Sequence, residues 1–271
     1  MKLSVAVAGK DALPSAFVVW RGFEDSIRKA KEYGYDGVEL ALRSASDIRP
    51  EDLDRYLSEN GMQISCISTG QVFAADHLYF THPEKAVRSR CISVFKELVD
   101  LASGYCHLVN VGRVRGFIEE GRDEAYASAL FCETAAPICE YAAKKGVDII
   151  LEPVNRYEIN FVNNVEQGAR LLKQLGFSNA GLMPDVFHMN IEDAHIGKTL
   201  VKYGEYIKYI HLADSNRLAP GQGHLDFDEV FDALKTIGYD DWASVEIFPV
   251  PTPDTAAKQA ADYLLPRIAG M

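Results

Sequence analysis

Eight apolar runs recur along this chain of 271 residues, near 2–8, 35–42, 62–69, 106–112, 147–152, 180–186, 206–213 and 242–248, and longer polar-apolar stretches separate them. Short runs rich in Val, Ile, Leu and aromatics fit strands buried on both faces, and parallel strands need a helical crossover between them. Two of the intervening stretches carry a helical stripe. Val87, Cys91, Val94, Phe95, Leu98 and Val99 recur at i, i+4, i+7, i+8, i+11 and i+12, and Phe227, Val230, Phe231, Leu234 and Ile237 repeat the pattern. Gly34, Gly61, Gly104, Gly146, Gly176 and Gly238 each stand where a helical pattern stops before a strand, the position that favours a left-handed backbone. Eight such units predict an α/β fold, a (β/α)8 barrel of the TIM type, as a single domain over residues 1–271; barrels of about 250 residues are ordinary. A doubly wound open sheet is the alternative, but the first strand lacks a GxGxxG loop.

Chemistry follows the same rhythm. Glu152, Asp185, His211 and Glu246 sit at or just past the ends of apolar runs, in VDIILE, GLMPD, YIKYIH and WASVE, separated by 33, 26 and 35 residues. Those intervals are about one βα unit each, so in a barrel the four side chains come from strands five to eight at the carboxyl-end mouth, where such barrels place their sites. Pro153 restricts Glu152 to extended geometry, and Pro184 and Pro249 punctuate strands six and eight in the same way. One such carboxylate alone is usually a solvated loop residue or a helix cap; four in matching positions form a set. Three carboxylates and an imidazole suit one hard divalent ion, Mn²⁺ first, with Mg²⁺, Co²⁺ and Zn²⁺ as alternatives.

Composition excludes several rivals. A formal net charge of −11 opposes nonspecific attraction to a phosphate backbone, and no local basic patch offsets it, so a nucleic-acid partner is not expected. Cys66, Cys91, Cys106, Cys132 and Cys139 lie in apolar patterns without a CxxC pair, which predicts buried free thiols and a reducing cytoplasm. MKLSVAVAGKD is too short for a signal h-region, and no run approaches the roughly 20 residues of a membrane span, so no membrane partner is expected.

The phrases GYDGVEL at 34–40, LEPVNRYE at 151–158, DVFHMNIED at 185–193, HLADSNR at 211–217, GQGHLDF at 221–227 and SVEIF at 244–248 resemble the xylose-isomerase-like barrels of sugar isomerases and epimerases. Within them the chain is most similar to the ketose 3-epimerases of the D-tagatose/D-psicose type. STGQVF at 68–73 and VGRVRG at 111–116 narrow the likeness to 5-keto-L-gluconate epimerase, a keto-acid epimerase. The resemblance implies an enzyme that inverts the carbon next to the carbonyl of a ketose or keto-sugar acid, 5-keto-L-gluconate and D-tagaturonate among them. It assigns Glu152, Asp185, His211 and Glu246 to the metal, with Glu152 and Glu246 also as acid and base on opposite faces of a cis-enediolate. It further assigns Glu158 and His188 to substrate hydroxyls and Arg217 to a substrate oxygen; by residue type alone these are a loop carboxylate, a core histidine and a surface ion-pair member.

Arg113 and Arg115 follow strand four. Alternation would put both on one side of the mouth, where guanidinium groups could grip a substrate carboxylate, against the plainer reading of ion pairs with Glu119 or Glu120. Gln71, after strand three, offers a further polar contact, whereas His224 and Asp226 read as structural, with Asp226 a helix N-cap. An aldose-ketose isomerase, a hydroxypyruvate isomerase and an inosose dehydratase of the same superfamily remain alternatives. An apurinic-site endonuclease is more remote, because the ends of strands two and three read ELAL and ISTG without its extra histidines and SNRLAPGQGH lacks its Asp-x-His. A noncatalytic sugar-binding protein would not need both Glu152 and Glu246. The partner expected is a small sugar or sugar acid, and a homo-oligomer is compatible with such a barrel.

Overall fold

A computed structural model describes residues 1–13 and 17–271. The strands are β1 (Lys2–Ala8), β2 (Trp20–Arg21), β3 (Gly37–Ala41), β4 (Gln63–Ser68), β5 (Leu108–Val111), β6 (Asp148–Leu151), β7 (Ala180–Leu182), β8 (Ile210–Leu212) and β9 (Trp242–Val245). The α-helices are α1 (Phe23–Glu32), α2 (Pro50–Asn60), α3 (Gly70–Asp76), α4 (Lys85–Tyr105), α5 (Glu124–Ala143), α6 (Val165–Leu175), α7 (Val186–Glu192), α8 (Ile196–Lys202), α9 (Phe227–Thr236) and α10 (Pro253–Ala269). All the strand pairings are parallel and run β7-β6-β5-β4-β3-β1-β9-β8. Parallel bridges Leu182↔Ile207 and Asp185↔His211 join the two ends. The sheet is therefore closed, which decides for the barrel over the open doubly wound sheet.

All eight apolar runs contain a barrel strand. The two-residue β2 was not legible as one; it pairs with the end of β1 beside the barrel path. The run at 180–186 yields a strand of only three residues, because Pro184 has no amide hydrogen to continue the ladder and Asp185 becomes the N-cap of α7. Gly104 also departs from expectation: it lies within α4, which ends two residues later at an extended Cys106, whereas Gly34, Gly61, Gly146, Gly176 and Gly238 have the positive φ that closes a helix.

Two cores result from the period of two along each strand. Outward residues such as Val5, Leu40, Val109 and Leu151 pack against the helices in one large cluster. Inward residues Cys66, Leu108, Ile150, Met183, Tyr209 and Trp242 form a second cluster that plugs the barrel below the site. Gly37 makes room for it: a Cβ there would lie 2.8 Å from Trp242 Cη2 and 2.6 Å from the Gln63 carbonyl oxygen. The five cysteines are free thiols, with Cys66, Cys91 and Cys139 buried and Cys106 and Cys132 only partly so. Asp226 caps α9 through the amides of Asp228 and Glu229, as its position predicted. Among the described residues no helix is long and apolar enough to cross a membrane.

Candidate active site

Each of the four candidate ligands is aimed by a local backbone feature. Glu152 follows β6, and its amide still donates to the Val111 carbonyl, 3.1 Å away, so strand geometry carries one residue past Leu151 and turns the carboxylate inward. Gly112 lies opposite; a Cβ there would sit 3.0 Å from Glu152 Oε2, so a side chain would crowd the carboxylate. Asp185 divides its oxygens. Oδ1 accepts from the Phe187 amide at 2.9 Å to cap α7, which leaves Oδ2 facing the barrel axis. His211 lies within β8, with its amide donating to the Pro184 carbonyl at 2.9 Å, and Glu246 follows β9 directly.

One ligand atom from each of Glu152, Asp185, His211 and Glu246 lies within 4.8 Å of the others. His211 Nδ1 is 3.4 Å from Glu152 Oε1, 3.5 Å from Glu246 Oε2 and 3.8 Å from Asp185 Oδ2. It is buried and hydrogen-bonds to none of them. An unpartnered ring nitrogen facing three carboxylates is the donor set of a hard divalent cation, and the residues fit one. The electrostatics are those of a crowded acidic pocket. Burial pushes the Asp185 carboxyl up to about 6 and raises Glu152 and Glu158 as well. Glu246 is largely buried, but the charges of His211 and Arg217 outweigh that and hold it below its ordinary range.

Arg217, Glu158 and His188 come to this pocket too. Arg217 is buried in a left-handed conformation, φ 63°, and its guanidinium bonds both Asp185 and Glu246. Its position is enforced: the Arg217 amide donates to the Asp214 carbonyl at 2.8 Å, its carbonyl accepts from the Phe248 amide at 2.8 Å, and its side chain lies between the rings of Phe17 and Phe187. His188 is buried, and its Nδ1 accepts from Asn155 Nδ2 at 2.7 Å. The proton of the neutral ring is therefore on Nε2, the atom nearest Asp185 and Glu152 at 3.9 and 4.0 Å. Burial pushes its pKa far below the usual value, so the ring is a neutral donor.

The two arginines after β5 separate. Residues 113–115 form a 3₁₀ turn, so strand alternation does not apply. Arg113 lines the cleft and lies over the Phe73 ring. It forms no ion pair with Glu119 or Glu120; Glu119 instead accepts from the Tyr79 hydroxyl. Arg115 turns away from the mouth and is fully buried, donating to the carbonyls of Phe161, Gly112, Glu152 and Val162 at 2.7 to 3.1 Å. The expectation that it grips substrate is corrected: it ties the β5 turn to the segment after β6. Burial lowers its pKa to about 10, still high enough for it to be charged at neutral pH. Arg115→Leu removes four hydrogen bonds and leaves the buried Glu152 and Phe161 carbonyls unpaired, while Gly112 and Val162 keep backbone donors, and should cost about 3 kcal/mol or more. Unaltered stability in denaturant unfolding would return Arg115 to a recognition role. Gln71 also lines the cleft, but its Oε1 already accepts from the Leu13 amide at 3.0 Å.

Two buried residues escaped the sequence reading of individual roles. Asn155, inside LEPVNRYE, sets the His188 tautomer and also reaches Glu158 Oε1 at 3.3 Å. Glu39, inside GYDGVEL, is fully buried and lies 2.9 Å from His211 Nε2. The available signal was an acidic residue within a continuous apolar run, a placement that needs a partner.

Comparison with known proteins identifies the family. The xylose isomerase-like TIM barrel family model matches residues 27–267. L-ribulose 3-epimerase of Mesorhizobium japonicum is 30% identical over 234 residues, which cover 83% of this chain and 75% of that protein. Ketose 3-epimerase of Arthrobacter globiformis is 29% identical over 234 residues, covering 82% and 78%. The crystal structure of D-allulose 3-epimerase from Methylomonas sp. superposes with a TM-score of 0.85 at 23% identity, covering 98% of each chain, and shares the fold. A closed parallel barrel, a cluster of acidic and histidine side chains able to hold a cation at its carboxyl-end mouth and relatives of this similarity establish that the chain is an enzyme of the xylose isomerase-like TIM barrel family, related to its ketose 3-epimerases.

Proposed function

We propose that the protein is a divalent-metal-dependent epimerase that inverts the carbon next to the carbonyl of a ketose or keto-sugar acid. The observation that carries the reading is the convergence of two carboxylates, the buried Glu152 and the largely buried Glu246, from strands with two others between them, on the same cation site. Glu152, Asp185, His211 and Glu246 would hold the ion, with Mn²⁺ the best match to their oxygen-rich set. Bound there, a divalent ion would offset the negative charge that develops on the carbonyl and neighbouring hydroxyl oxygens.

The protein groups supply the remaining chemistry. One carboxylate takes the proton from the carbon next to the carbonyl, and the C–H electron pair passes into the carbonyl as an enediolate. The second, protonated carboxyl returns a proton to the opposite face, and the reverse reaction exchanges the roles. His188 Nε2–H and Glu158 offer a donor and an acceptor to hydroxyls beside that carbon, and Arg217 offers a cation to a substrate oxygen. Proton NMR in D₂O with a panel of ketoses and keto-sugar acids tests the reading. Deuterium next to the carbonyl together with a new diastereomer is expected; label at carbon 1 or 2 with an aldose product would make the enzyme an isomerase.

Arg113 favours a keto-acid as substrate. It is a cation at the cleft with no carboxylate partner among the described residues, and a substrate carboxylate would supply one. Arg113→Ala should lower kcat/KM for an acidic substrate by about 10²-fold, the loss of a charge-assisted contact, and leave a neutral ketose nearly unaffected. Equal losses on both would remove carboxylate recognition from Arg113.

A further inference from the structure

Beneath the cation site the barrel interior holds a connected set of polar side chains where packed apolar residues are the rule. Glu39, Tyr209, Ser65 and Ser4 are all buried and come from four strands, β3, the lead-in to β8, β4 and β1. Glu39 Oε2 receives two donors, His211 Nε2 at 2.9 Å and the Tyr209 hydroxyl at 3.0 Å. The Tyr209 oxygen lies 2.7 Å from the Ser65 hydroxyl and 3.0 Å from that of Ser4, and Ser4 in turn donates to the Ala243 carbonyl at 3.3 Å. The proton positions follow from the donors available. A carboxylate only accepts, so the Tyr209 proton points to Glu39, and the Ser65 hydroxyl lies within hydrogen-bond reach of both the Tyr209 oxygen and the Ser4 oxygen, the latter 2.8 Å away. A register shift in the β3–β4 ladder accompanies this: Val38 pairs with Ile64 and Glu39 with Cys66, so Ser65 is an extra residue between them. Bulges of this kind re-aim a side chain beside a functional site, and this one directs a hydroxyl into the barrel.

We propose that Glu39 is the positioning residue of the metal centre. By accepting from Nε2 it keeps the His211 proton on the far side of the ring, so that Nδ1 presents its lone pair to the pocket formed by Glu152, Asp185 and Glu246. Tyr209 holds Glu39 in turn, and the Ser65 and Ser4 hydroxyls lie beside the Tyr209 oxygen. Glu39 Oε1 has no hydrogen-bond partner among the described residues, so the two donors on Oε2 alone fix the carboxylate. A carboxylate behind a ligand histidine fixes its orientation and raises its basicity, and its loss typically weakens metal binding 10- to 100-fold. The inference rests on the metal reading above and concerns a residue that does not touch the ion.

Calorimetric titration of Mn²⁺ into metal-free wild type, Glu39→Gln and Tyr209→Phe tests it, with metal-free melting measured in parallel. Glu39→Gln keeps size and an acceptor but removes the charge, and should bind Mn²⁺ at least about tenfold more weakly. Tyr209→Phe, which removes one donor from Glu39 without touching His211, should weaken it by a smaller factor in the same direction. Wild-type affinity in Glu39→Gln overturns the inference and leaves the metal reading intact, even where metal-free melting falls, because Glu39 then acts only in packing. No Mn²⁺ binding by the wild type overturns both.

Discussion

Glu246→Gln should lower the rate of inversion by about 10³-fold, the middle of the range for losing a positioned acid-base group. The more telling result is the pattern of proton exchange. Glu152 is intact in this variant, so the epimer that presents its proton to Glu152 should still take up deuterium from D₂O, without inversion. The other epimer should neither exchange nor invert. Glu152→Gln should show the mirror-image pattern. The asymmetry follows from two carboxylates that reach one site from the ends of β6 and β9, on either side of Asp185 and His211. Near-normal turnover of Glu246→Gln with metal bound would end the two-base mechanism. Equal loss of exchange from both epimers would reduce Glu246 to a metal ligand.

Metal binding should have a large effect on stability as well as on activity. Three carboxylates gathered around His211 Nδ1 repel one another in a buried pocket, and Arg217 hydrogen-bonds two of them, Asp185 and Glu246. A cation bound to the folded state at about 100 times its Kd stabilises by about 2.7 kcal/mol. For a chain of this size that corresponds to a rise in Tm of about 5–10 °C. Chelation should abolish turnover and Mn²⁺ should restore it, while in Asp185→Asn the thermal shift should shrink. A Tm unmoved by Mn²⁺, Mg²⁺, Co²⁺ and Zn²⁺ would show that the pocket holds no ion.

The strands of the barrel were legible because buried parallel strands must be apolar throughout, and a crossover helix imposes a spacing near 30 residues. The same spacing brought Glu152, Asp185, His211 and Glu246 to notice, since each lies at or beside a strand end and strand ends meet at the mouth. Asp226 was legible as a cap because capping is decided within a few residues. Arg115 was misplaced for the opposite reason. Whether 113–115 continues a strand or turns depends on what waits to bond it, and the carbonyls of Phe161 and Val162 are more than forty residues away. Glu39 could be noticed as a charge in an apolar run, but its partners His211 and Tyr209 lie 172 and 170 residues further along the chain. Local periodicity determined the elements, their order and the residues at the mouth. Only closure of the barrel decided which nitrogen of His211 faces the carboxylates, which arginine is free to meet a substrate, and what holds the ligands in place, because those are contacts between strands that sequence spacing does not bring together.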